Sequence, residues 1–65
     1  MKVFGFKRGN DIMICHRFDT DVRLWVDATK HEGEGVVNIL VYNDRKEAEK
    51  YARKIGAEIF EINLN

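Results

Sequence analysis

Sixty-five residues make one domain, and a chain this short buries only about 60% of the surface its unfolded form exposes, which excludes a large core. Eleven basic and eleven acidic side chains cancel, six of each over residues 1–43 and five of each over 44–65, so the basic excess on which phosphate-backbone binding relies is missing. The single cysteine, Cys15, excludes an intrachain disulfide, and no apolar run approaches the ~18 residues of a membrane span; the expectation is a cytosolic chain with no membrane partner, for which association is the remaining route to extra stability.

In chain order, residues 2–8 (KVFGFKR) and 11–18 (DIMICHRF) are two runs of strand formers separated by Gly9 and Asn10. Gly and Asn tolerate positive φ, so the pair reads as a tight hairpin with Arg8 opposite Asp11. Counting back from that turn sets Phe6 opposite Met13 and Phe4 opposite Cys15. A turn at Asp19, Thr20 and Asp21 leads to a third strand over 22–28, with Cys15 opposite Trp25 and Ile14 opposite Val26. Residues directly opposite each other share a face of the sheet. One face therefore collects Val3, Ile12, Ile14, Phe18, Val22, Leu24, Val26 and Ala28, which is aliphatic. The other collects Phe4, Phe6, Met13, Cys15 and Trp25, with Arg17, Arg23, Asp27 and Lys2 around them.

After a polar loop containing Gly33 and Gly35, residues 36–42 (VVNILVY) form a nearly continuous apolar run, expected for a strand covered on both faces. A helix over 44–55 follows. Ala48, Tyr51, Ala52 and Ile55 recur at i, i+3, i+4 and i+7, giving one apolar stripe on an otherwise charged cylinder. Asn43 or Asp44 supplies the N-cap, Glu47 the returning partner of a capping box, and Gly56 the left-handed C-terminal residue. Glu49 and Arg53 are spaced for an i,i+4 ion pair. The last strand spans 58–64. A helix between two strands favours a parallel pair joined by a right-handed crossover, although the last strand could instead take the free edge of the first. The fold class is α+β: a small single-layer mixed sheet, a three-stranded meander followed by strand, helix and strand, with one helix packed on one face.

A lone helix shields one face of a sheet. Assigned to the aliphatic face, it leaves the aromatic face as the contact surface, with Phe4, Phe6, Met13, Arg17, Arg23 and Trp25 as candidate partner-binding residues. Trp, Phe, Met and Arg are the types enriched where proteins meet, so the expected partner is a protein or a second copy of the chain, met by an accessory, adaptor or inhibitor. The alternative occupant of that face is single-stranded nucleic acid, stacked on the exposed rings. KVFGFKR sets a glycine between two phenylalanines but lacks the longer RNP-type pattern. Cys15 and His16 are adjacent in a strand and point to opposite faces, while His31, Glu32 and Glu34 lie in a loop without fixed spacing, so no metal is expected. Asp19 and Asp21 read as turn residues. The chain has no serine and only two scattered histidines, which leaves no nucleophile–base pair, no catalysis, no cofactor and no small-molecule substrate as the expectation.

Overall fold

The computed structural model describes residues 1–16, 18–29 and 37–64. The elements are β1 (Lys2–Arg8), β2 (Asp11–His16), β3 (Arg23–Asp27), β4 (Val37–Ile39), α1 (Arg45–Ile55) and β5 (Glu58–Asn63). They form one sheet with a single helix on it, an α+β fold. Every strand pair is antiparallel, so the sheet is not mixed. The crossover through α1 does not make a parallel pair: β5 lies against the free edge of β1, and β4 pairs with β2. The path order is β3-β2-β1-β5.

The first hairpin turns at Gly9, whose φ of 60° is in the left-handed region, and sets Arg8 opposite Asp11 as the sequence implies. Direct pairing of β1 with β2 then stops after Lys7 and Ile12. Beyond that point the two strands fork, and the segment from Val37 to Tyr42 fills the fork. It pairs with β2 at Ile14–Ile39, Cys15–Asn38 and His16–Val37, and with β1 through reciprocal backbone bonds between Phe4 and Tyr42 of 2.8 and 2.9 Å. Both contacts are antiparallel while β1 and β2 run in opposite directions. The chain must therefore reverse between Ile39 and Tyr42, which is why the expected strand over 36–42 is only three residues long. The amide of Leu40 donates to the carbonyl of Met13 at the apex of this wedge, 3.2 Å away.

The helix forms where its signals lie. Asp44 is extended and its carboxylate accepts from the Lys46 amide at 2.9 Å, and Gly56 closes the other end at φ 68°. Glu49 pairs with Arg45 at 3.1 Å rather than with Arg53, and Arg45 also reaches Glu61 on β5 at 3.4 Å. All three side chains are substantially solvated, so these pairs orient the helix more than they stabilise it.

The core reverses one sequence expectation. The two faces are sorted as the alternation implies, but α1 covers the aromatic face. Phe4, Phe6, Met13, Cys15, Leu40, Ala48 and Ala52 form the buried cluster, and Trp25, Tyr42, Tyr51, Ile55 and Ile59 pack around it. The physical reason is volume. The helix presents Ala48 and Ala52 to the sheet, side chains that fill little space, so close packing requires bulky partners from below. The phenylalanines supply that bulk. Phe6 is fully buried, with the rings of Tyr42 and Tyr51 edge-on to it at 5.3 and 5.1 Å.

Candidate functional site

Of the expected partner-binding residues, Phe4, Phe6 and Met13 are core and have no surface to offer. Trp25 is half-buried and packs against the same cluster, with the Arg8 guanidinium 4.4 Å above its ring. Arg23 lies 5.0 Å from the centre of the Tyr51 ring, and Arg45 is 5.9 Å from that of Phe4. Hydrogen bonding to Tyr51 raises the Arg23 pKa from its ordinary value; burial opposes the rise and Tyr42 adds to it. The arginines thus close the rim of the ring cluster from within the same chain through cation–π contacts. Arg17 lies outside the described residues, as do His31, Glu32, Gly33, Glu34 and Gly35. Phe4 and Phe6, buried beneath the helix, are not available to stack on bases.

The surface that remains is the opposite face, and the register defines it. Val3 pairs with Ile62, Gly5 with Phe60 and Lys7 with Glu58 across β1 and β5. Ile12 pairs with Val26 and Ile14 with Leu24 across β2 and β3, and Ile14 also faces Ile39 of β4. The β2–β3 register differs by two residues from the expected one, which changes partners but leaves every side chain on its expected face. Gly5 sits where the Phe60 ring lies down on the sheet: a Cβ built at Gly5 would come within 2.6 Å of the ring. An aromatic side chain covering a cross-strand glycine in this way shields backbone that would otherwise be open.

On this outer face Val3 and Ile14 are buried, while several neighbouring apolar side chains are open. Leu24 is 54% exposed and Ile39 44%, with Ile14 buried between them; Val22, Val41 and Leu64 extend the exposed apolar set. The exposed Lys7–Glu58 pair, 4.0 Å apart, closes one end of the face, and His16 stands at the other. Sequence reasoning placed most of these residues together correctly and then hid them under the helix.

Elsewhere the chemistry is structural. The Asp19 carboxylate accepts from the Asp21 amide at 3.1 Å, a local turn, and the described residues contain no metal-binding cluster. Cys15 is a buried free thiol. A groove of about 280 Å³ lies beside the stacked pair Tyr42 and Tyr51, lined also by Glu47, Lys50 and Lys54. It holds no nucleophile–base pair. No described helix is long and apolar enough to cross a membrane. No protein-family model matches this chain, and no curated protein or solved structure matches it either.

Proposed function

We propose that this chain is a small, non-enzymatic binding protein that works by protein–protein contact, with a second copy of itself as partner, through the outer aliphatic side of the sheet around Leu24. The observation that carries the reading is the grouping of open Leu24, Val22 and Ile39 around Ile14 on the sheet face opposite the one the helix covers. Exposed apolar side chains are common singly, whereas a contiguous set on one sheet face marks a contact surface. A formal net charge of zero means that copies do not repel one another.

The test is molar mass by sedimentation or light scattering from about 1 μM to 1 mM. A reversible dimer is expected, weakened at least tenfold by Leu24→Lys, which sets a charge in the apolar contact. An unchanged constant in Leu24→Lys would remove this surface from the interaction.

A further inference from the structure

The outer face ends at β3, the edge strand among the described residues. The His16 amide donates to the Val22 carbonyl at 3.0 Å and the Ala28 amide to the Asn10 carbonyl at 3.0 Å, so the even-numbered residues of this strand turn their peptide groups toward β2. Alternation then directs the N–H and C=O of Arg23, Trp25 and Asp27 outward. Among the described residues no strand takes them up. The helix packs mainly on β1 and β5, and of its side chains Tyr51 reaches Arg23 of this strand.

The side chains on that edge match the strand to itself. Read as R-L-W-V-D, β3 is self-complementary when reversed. Resting on the reading that the chain acts by self-contact, we propose that two copies pair antiparallel along β3 about a two-fold axis at Trp25. Arg23 then faces Asp27 of the second copy, Leu24 faces Val26, and Trp25 faces Trp25. The three outward residues fall on hydrogen-bonded pairs, each exchanging both N–H···O bonds. Opposite charges directly across a strand pair stabilise it, and here the two-fold produces that pairing twice. Leu24 and Val26 meet their counterparts on the outer face. The other edge does not serve. The Met1 and Leu64 bonds turn the even-numbered side of β5 toward β1, which leaves Glu61 among the outward residues. The centred pairing of β5 with itself would set Glu61 against Glu61, a like-charge pair that opposes association.

Charge exchange tests the register. Arg23→Asp and Asp27→Arg each place like charges opposite one another and should raise the dimer dissociation constant at least about tenfold. An equimolar mixture of the two variants pairs two carboxylates of one chain with two guanidinium groups of the other. The double variant Arg23→Asp/Asp27→Arg restores opposite charges within a homodimer. Both should recover wild-type affinity, which a merely structural role for either residue would not produce. Because Arg23 also packs over Tyr51, a second measurement uses the wild type alone. Amide exchange at Arg23, Trp25 and Asp27 should slow as protein concentration rises, and emission from Trp25, the single tryptophan, should shift with the same midpoint. A dimer that survives both single variants with those amides still exchanging rapidly overturns edge pairing; its loss in Ile39→Lys would then place the contact flat on the outer face and keep the functional reading. A strict monomer to about 1 mM overturns both.

Discussion

Replacing Phe6 by Ala tests which face of the sheet holds the core. Phe6 is 0% exposed, and its ring is the hub that Tyr42 and Tyr51 meet edge-on at 5.3 and 5.1 Å. Truncating a buried phenylalanine costs about 3 to 5 kcal/mol, and an aromatic pair of this geometry adds about 0.5 to 1.5 kcal/mol beyond area. Because the truncation removes the shared partner of both tyrosines, and backbone above and below limits collapse, the upper part of that range applies. A core of this size supplies only ~3 to 5 kcal/mol, so Phe6→Ala should be mostly unfolded at 25 °C. The contrast is Leu24→Ala, where a side chain 54% exposed forfeits about half of the ~1.5 to 3 kcal/mol of a full burial, roughly 1 kcal/mol. Urea titration followed by far-ultraviolet circular dichroism, at concentrations low enough to keep the chain monomeric, measures both. A Phe6→Ala protein that loses less than about 1 kcal/mol, or less than Leu24→Ala loses, would mean that the helix covers the aliphatic face after all.

Other substitutions probe separate parts of the fold. In Gly5→Ala the new methyl group meets the Phe60 ring at 2.6 Å, so about 1 to 2 kcal/mol should be lost, and the loss should largely vanish in a Phe60→Ala background, a coupling that a double-mutant cycle reads directly. Asp44→Ala removes the acceptor of the Lys46 amide and should cost ~1 kcal/mol in thermal or urea unfolding, with Asp44→Asn restoring most of it. Gly56→Ala forces a Cβ into the left-handed region at φ 68° and should cost a similar ~1 kcal/mol. The carboxyl of Asp27 is held below its ordinary 3.8 by the Thr29 hydroxyl at 2.6 Å and then by the Thr29 amide at 2.9 Å. A lowered folded-state pKa means stabilisation that is complete above the unfolded value and fades as pH falls through the lowered one. Thr29→Val should therefore move the Asp27 titration, followed by nuclear magnetic resonance, back toward 3.8; an unmoved titration would remove the hydroxyl as its cause.

The covalent pattern of the chain speaks most clearly where structure is local. Gly9 places the first hairpin, and Asp44 and Gly56 bound the helix within a residue of its observed ends. Alternation sorted the meander faces, and it survived a two-residue error in the β2–β3 register because a shift by an even number keeps every side chain on its side. Two long-range features were harder to read. The reversal between Ile39 and Tyr42 carries no glycine or proline, so VVNILVY looks like one continuous strand; only the forked hairpin, which offers unpaired edges on both sides, makes the bend favourable. The choice of covered face was misread because hydrophobicity was weighed and volume was not. Ala48 and Ala52 at i,i+4 give a shallow helix surface, and a shallow surface needs Phe4 and Phe6 beneath it more than it needs Val and Ile. The placement of Arg8 over Trp25 and Arg23 over Tyr51 follows from the same choice, since rings at the edge of a small core are capped most easily by long cationic side chains.

Edge pairing at β3 and the open outer face are linked by symmetry. In an antiparallel pair related by a two-fold, the axis stands perpendicular to the sheet, so side chains on one face of the first copy stay on the same face of the second. In the proposed pair Trp25 would meet Trp25 on the helix side and Leu24 would meet Val26 on the outer side, with both helices on one surface of a doubled sheet. On the opposite surface of the proposed dimer, Leu24 and Val26 of the two copies would lie side by side across the axis. In the proposed dimer the open Leu24 and Ile39 of each copy would lie on this one surface. Under the proposed pairing the Arg23 and Asp27 charges favour strands reading the same way, so the charge-exchange variants separate edge pairing from contact across the outer face.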